Sequence, residues 1–208
     1  MTITDEVSAR RFVGDLADAE AMQRLELLIK LLLDENSRQN LISKPSEAQI
    51  WQRHIADSAQ LLKYVPRETC ENGKDVWLDL GTGAGFPGLI VSAILPQMPV
   101  ILVESRKRRV EWLEKARSEM GLSKCEIRGS RLEVVRPFPA RFISARAFAP
   151  LPKLLRLSAP FSTGSTSFLL PKGRSAAQEL LDLPRKSREL FHVEQSLTDP
   201  EAGIIVSK

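Results

Sequence analysis

The chain has 208 residues, 43% of them hydrophobic, a formal net charge of +4 and two cysteines. That length suits one ordinary domain with a small accessory segment, and Cys70 and Cys125, without a CxxC spacing, argue against a disulfide-built secreted fold and a structural zinc. No apolar run approaches the roughly 18 residues of a membrane span and the acidic N-terminus is no signal region, so a soluble cytoplasmic protein is expected; the mild basicity permits a nucleic-acid partner without establishing one.

In chain order, Phe12, Leu16, Leu25, Leu28, Ile29 and Leu32 form an amphipathic helical stripe. A polar loop over 36–45 precedes a second helix marked by Ile50, Trp51, Ile55, Leu61 and Leu62 that ends before Pro66. The composition then changes, and an Asn72-Gly73 turn opens an alternation of strands and helices. Strands are expected at 76–80, 100–104, 125–128, 142–145 and 167–170, and helices at 87–95, 106–120, 151–157 and 175–183. The segments 189–193 and 203–206 fit an antiparallel edge. Such alternation implies a mainly parallel sheet covered on both faces, with a helical extension over 1–65 and a sheet domain over 66–208.

Ligands of such sheets bind beyond the strand ends, so the first strand-to-helix turn matters most. It reads Asp79-Leu80-Gly81-Thr82-Gly83-Ala84-Gly85-Phe86-Pro87-Gly88. Gly83 to Gly88 satisfies the dinucleotide pattern GxGxxG, while Asp79 to Gly85 satisfies the acidic-x-GxGxG pattern of class I methyltransferases. A carboxylate at Asp79 would repel a pyrophosphate but accept hydrogen bonds, directly or through water, from a methionine ammonium. Glu104 ends the next strand, where it suits ribose hydroxyls in either cofactor. About 120 residues follow the loop, too few for a separate dehydrogenase substrate domain. The expected fold is a class I S-adenosylmethionine-dependent methyltransferase: Rossmann-like, α/β, with a seven-stranded mainly parallel sheet and a short helical N-terminal extension. An NAD-linked oxidoreductase, a small-molecule methyltransferase and a non-catalytic RNA-binding fold stay open at this point.

Further motifs narrow the reading. They are Asn40-Leu41-Ile42-Ser43, Arg53-His54-Ile55-Ala56-Asp57-Ser58, the glycine loop, Glu104-Ser105-Arg106-Lys107-Arg108, Gly129-Ser130-Arg131-Leu132-Glu133, Ser144-Ala145-Arg146-Ala147-Phe148-Ala149 and Leu170-Pro171-Lys172-Gly173. Together they resemble the RsmG family of methyltransferases, also called glucose-inhibited division protein B. Ala145 before Arg146, Glu104 where aspartate is common, and Pro171 before Lys-Gly depart from the family pattern. The resemblance implies methyl transfer from S-adenosylmethionine to N7 of one guanine in 16S ribosomal RNA, with the RNA or the small-subunit particle as partner and neither membrane nor metal involved. It implies cofactor contacts at Asp79, Gly81, Gly83, Phe86, Glu104, Leu132, Glu133 and Arg146, with Arg146 also the candidate at the reacting groups. Candidates for RNA contact are Arg53, His54, Arg106, Arg109 and Lys172.

Each has a plainer reading. His54 and Asp57, three residues apart on a helix, are expected to share a face and bond. Lys172 meets either phosphate or a salt-bridge partner. Trp51, Trp77 and Trp112 read as core, and Phe86 and Phe148 as aromatic rings near the ligand. Guanine N7 is a lone-pair acceptor without a proton, so its methylation needs no general base, and the sequence offers no convincing nucleophile–base pair.

Overall fold

Apolar runs of four or five residues that are buried throughout need cover on both faces, and they organise this chain. The computed structural model describes residues 2–66 and 74–208; the Asn72-Gly73 turn and Cys70 lie outside the described residues. The strands are β1 (Trp77–Leu80), β2 (Val100–Val103), β3 (Cys125–Arg128), β4 (Phe142–Ser144), β5 (Ser167–Gly173), β6 (Phe191–Gln195) and β7 (Gly203–Ser207). They form one seven-stranded sheet in the order β3-β2-β1-β4-β5-β7-β6. The first five strands are parallel; β7 runs antiparallel to both β5 and β6. The expected C-terminal pair is present, but β7 inserts between β5 and β6. Its run Gly203-Ile204-Ile205-Val206 is buried throughout, which suits an interior strand, whereas β6 alternates buried and exposed residues and suits an edge.

Successive side chains leave the sheet on opposite faces. Trp77, Val100, Leu102 and Phe142 join one apolar cluster, and Leu78, Leu80, Ile101 and Ile143 join the other. Helices α3 (Gly88–Ile94) and α4 (Lys107–Glu119) cover the first face. The second is covered by α5 (Leu151–Ser158) and α6 (Ala176–Leu181), and a short α7 (Arg185–Arg188) precedes β6. β5 runs three residues past its expected end because Pro171 lies where only one neighbour remains. Pairing with β4 stops at Leu169, so the missing proline N–H removes no bond on that side, and the register with β7 shifts between Pro171 and Gly173.

The N-terminal stripe is two helices, α1 (Glu6–Gly14) and α2 (Ala19–Asn36). Two caps divide it: Asp5 forms a capping box with Ser8, and Asp18 accepts the Ala21 N–H. Leu16 falls in the break and sits at the surface. Asn36 then folds the chain back, its side-chain oxygen accepting the N–H groups of Leu41 and Ile42. The second expected helix is irregular: a 3₁₀ turn at Lys44–Gln49, a π turn at Trp51–Ala56, one α turn at Asp57–Ala59 and a 3₁₀ turn at Gln60–Tyr64. The Glu6 carboxylate accepts the N–H groups of Trp51 and Gln52 where the π turn begins.

These helices and the first face of the sheet share one core, in which Leu25, Leu28 and Leu32 pack in the same cluster as Trp77, Ile90 and Trp112. Polar stitches reinforce it: Gln52 donates to the carbonyls of Ile3 and Thr198, and Gln60 accepts the Leu197 N–H. Trp77 and Trp112 are core, as expected, while Trp51 is half-buried with the Arg10 guanidinium over its ring. Leu28 has no exposed surface. Leu28→Ala is expected to lower unfolding free energy by roughly 2–5 kcal/mol, read by urea denaturation followed through tryptophan fluorescence.

Candidate functional site

The chain leaves β1 through the glycine loop at the point where the sheet order reverses, between β1 and β4. Gly81 and Gly83 take φ of +61° and +62°, the left-handed region that favours glycine. A side chain at Gly83 would also stand 2.7 Å from the Arg109 guanidinium, and one at Gly81 would strike the Phe148 ring. The Gly83 N–H donates to Glu104 Oε2 at 3.2 Å, while Oε1 accepts the N–H groups of Ser105 (2.7 Å) and Arg106 (2.9 Å). One carboxylate thereby sets the end of β2 against the loop of β1. Beside it opens a cleft of about 440 Å³ whose lining includes Gly81, Glu104, Arg106, Arg109, Leu132 and Glu133. Leu132 and Glu133 come from a 3₁₀ turn, Leu132–Val134, after β3.

Asp79 turns away from that cleft. It is fully buried, its Oδ1 accepting the Ser144 hydroxyl at 2.7 Å and its Oδ2 the Gly88 N–H at 3.0 Å. Ser144 in turn accepts the Trp77 indole N–H at 2.8 Å. Burial pushes the Asp79 carboxyl up to about 6, only partly offset by the hydroxyls of Thr82 and Ser144, the Gly88 N–H and the Arg146 charge. The raised value means that the folded chain holds this proton longer than the unfolded one. The associated stability is therefore whole below the unfolded value near 3.8 and is lost as pH rises through about 6. Direct contact with a ligand ammonium, one of the two routes expected from the sequence, is closed by this burial; the carboxylate braces the loop instead. Thr82 Oγ1 lies near enough to favour the Asp79 charge but outside hydrogen-bond geometry, and it is buried without a bonded partner.

A second, larger cleft of about 960 Å³ lies beyond the β4 loop, lined in part by Arg53, His54, Asp57, Arg146, Lys172 and Asp199. Residues 147–149 line both clefts and form the wall between them. Arg146 NH1 donates to Asp57 Oδ2 and to the Arg53 carbonyl, both at 3.3 Å. Its guanidinium carbon stands 5.0 Å above the Phe86 ring, on which the His54 ring also stacks at 5.2 Å. Phe86 is 1% exposed, so it supports these two groups from below and does not face a ligand with its ring.

The expected His54–Asp57 bond is absent. Both residues instead meet Arg146, whose guanidinium offers NH1 to Asp57 and NH2 to His54. Arg146 NH2 lies 3.3 Å from His54 Nδ1, and His54 Nε2 lies 3.0 Å from Ser46 Oγ, which donates to the Ser43 carbonyl. This chain assigns the neutral tautomer with the proton on Nε2. Burial first, then the positive charges of Arg146 and Arg53, push His54 down to about 3. The other candidates divide. Arg53 and Arg106 are exposed, Arg109 is half-buried over Gly83, and Lys172 is paired with Glu179 inside the protein. Among the described residues, no helix is long and apolar enough to cross a membrane.

Residues 21–201 match the family described as rRNA small subunit methyltransferase G. The chain belongs to that family. The protein called ribosomal RNA small subunit methyltransferase G in Erythrobacter litoralis is 57% identical over 99% of this chain and 97% of its own length. Its namesake in Novosphingobium aromaticivorans is 51% identical over 100% of this chain and 90% of its own. The fold also resembles a mutant of MtNAS solved with S-adenosylmethionine (TM-score 0.57, 15% identity, 99% of this chain and 84% of that one). A precorrin-6y C5,15-methyltransferase from Geobacter metallireducens is similar as well (TM-score 0.52, 12% identity, 82% and 91%).

The family's cofactor is S-adenosylmethionine, and the first cleft fits it. Two left-handed glycines leave backbone open to close approach, Thr82 keeps an unspent buried hydroxyl, and Glu104 presents an acidic edge. The sequence missed Ser144, Ser46 and Glu179 as members of the site. Ser144 carried a signal, a hydroxyl ending β4 beside β1, whereas Ser46 and Glu179 carried none. Gly81→Ala is expected to weaken S-adenosylhomocysteine binding by roughly tenfold or more, read by calorimetry, because the added methyl is strained and meets Phe148. The His54 imidazole is expected to remain in the Nε2–H form from about pH 5 to 8, read from its ring ¹⁵N shifts, since its depressed value keeps the folded form neutral there.

Proposed function

We propose that this chain transfers the methyl group of S-adenosylmethionine to N7 of a guanine in 16S ribosomal RNA, in the cytoplasm, with the small-subunit RNA or its particle as partner. The observation that carries the reading is the arrangement of two clefts divided by a single short wall, residues 147–149. One cleft has the character of a nucleoside site and the other has room for an extruded base. The family to which the chain belongs supports the same reaction.

When bound, the cofactor supplies an activated methyl group on sulfonium sulfur. Gly81, Gly83 and the Thr82 hydroxyl would hold its amino-acid end, Glu104 its ribose, and Leu132 and Glu133 the adenine side. Asp79 acts on that end indirectly, by tying the loop to Gly88 and Ser144. The chain's task in the transfer is alignment, since N7 is already a nucleophile and positioning supplies much of the rate. His54 is consistent with this: its Nδ1 is taken by Arg146 and its Nε2 by Ser46, which leaves no nitrogen free to act as a base. The methylated guanine carries a positive charge, and the Asp199 carboxylate among the lining residues favours that charge, while Asp57 and Glu179 offset the neighbouring Arg146 and Lys172. Arg146 lines the larger cleft next to the dividing wall, and its pairing with Asp57 keeps its own charge from opposing the product.

Exposed Arg53 and Arg106 at the cleft mouths are the proposed phosphate contacts, with Arg109 closer to the cofactor loop. Arg53→Ala and Arg106→Ala are each expected to raise the RNA KM and to lower the slope of log affinity against log salt by about one. The reaction itself is tested by mass spectrometry of 16S RNA from a deletion strain, with and without the gene restored. Loss and recovery of 7-methylguanosine are expected, and an unchanged level would overturn the assignment.

A further inference from the structure

The lysine marked in the sequence for phosphate is almost wholly inside the protein, with 6% of its side chain exposed. Its ammonium donates to the Ala149 carbonyl at 2.7 Å and pairs with Glu179 at 2.8 Å. The same Glu179 oxygen accepts the Leu151 N–H at 2.9 Å, where α5 begins, and the other accepts the Ser175 hydroxyl at 2.9 Å. These bonds converge on one end of a short strap, residues 146–150. Its other end is held by Arg146 on Asp57, Arg53 and His54. Between the two anchors Ala147 is exposed and takes a left-handed φ of +53°, and Phe148 rests on Gly81. A non-glycine residue persists in that conformation where its surroundings over-determine it. The strap is also the wall between the two clefts, so its position sets both the passage between them and the cover on the glycine loop.

We infer that Lys172, acting through Glu179, is a positioning residue for the methyl transfer: it fixes the 146–150 strap and so places the Phe148 ring where the two clefts meet. The inference rests on the methyl-transfer reading above. An ammonium that is nearly buried and already bonded to a carbonyl and a carboxylate has little left to offer a phosphate. A buried ion pair also fixes geometry, because removal of either partner strands the other's charge.

The test compares Lys172→Met, Glu179→Gln and the double variant with the natural protein on 16S RNA. Both single variants are expected to lose kcat by roughly ten- to a hundredfold. Their RNA KM should stay within about twofold and their salt slope should not change. The double variant should be no worse than the worse single one, since the two residues act as a unit. A second readout does not depend on turnover. Trypsin should cut after Arg146 at least about fivefold faster in both single variants, because a released strap opens locally while the global unfolding midpoint, measured alongside, changes less. Glu179→Gln preserves volume and decides the matter if Lys172→Met fails to fold. A wild-type kcat and trypsin rate in Glu179→Gln would overturn the inference. So would a Lys172→Met variant whose defect is a raised RNA KM with a salt slope lower by about one. If the natural protein forms no 7-methylguanosine, the methyl-transfer reading fails, while the trypsin comparison still judges the strap.

Discussion

A carboxylate with no contact with water sits within β1, an interior strand of the sheet, and the site is built around it. Asp79 is held by groups from two other elements: the Ser144 hydroxyl of β4, which also meets the Trp77 indole of β1, and the Gly88 N–H at the start of α3. Removing this carboxylate from water pushes its pKa up to about 6 and so disfavours the ionised form. Such a group is tolerated because its bonds fix the angle at which the chain leaves β1, enters the glycine loop and begins α3. A hydrophobic residue there would pack more cheaply and leave the loop without its brace.

Arg146 is the second organising group, and it draws on parts of the chain far apart in sequence. It bonds Asp57, the Arg53 carbonyl and His54 from the N-terminal helices, and lies over Phe86 from the glycine loop. Asp57 in turn accepts the Thr198 hydroxyl from the connection between β6 and β7. The N-terminal helices thus line the larger cleft as well as covering one face of the sheet. His54 and Asp57 both reach one guanidinium here, so each is bonded to Arg146 and not to the other.

Charge in the site is balanced in pairs. His54 is neutral, pressed by burial and by two arginines, so it adds no positive charge to a cleft proposed to hold a cationic product. Arg146 is offset by Asp57 and Lys172 by Glu179. The cations left open to solvent, among them Arg53 and Arg106, stand at the cleft mouths, where attraction for a phosphate backbone is useful and the reacting base is not disturbed.

Most of the sheet was legible in the residues, because a buried strand reads as a short apolar run and a covering helix as a repeat with caps. The glycine loop was legible too, since positive φ demands glycine, whereas the bonds by which Glu104 ties that loop to the end of β2 were not. What was not legible depends on partners distant in sequence. Local spacing predicted a bond between His54 and Asp57, and Arg146 from the far side of the sheet's switch point took both partners. Lys172 read equally as a phosphate contact or one half of a salt bridge, and Glu179 from the following helix made it the latter. Pro171 argued against a continuing strand until the loss of a neighbour on one side made it harmless. The sequence by itself determined the order of elements, the glycine loop and the family, because those rest on local backbone chemistry and residue type. Only the tertiary structure decided which charges face the clefts and which neutralise one another, because that depends on which side chains the fold brings within bonding distance.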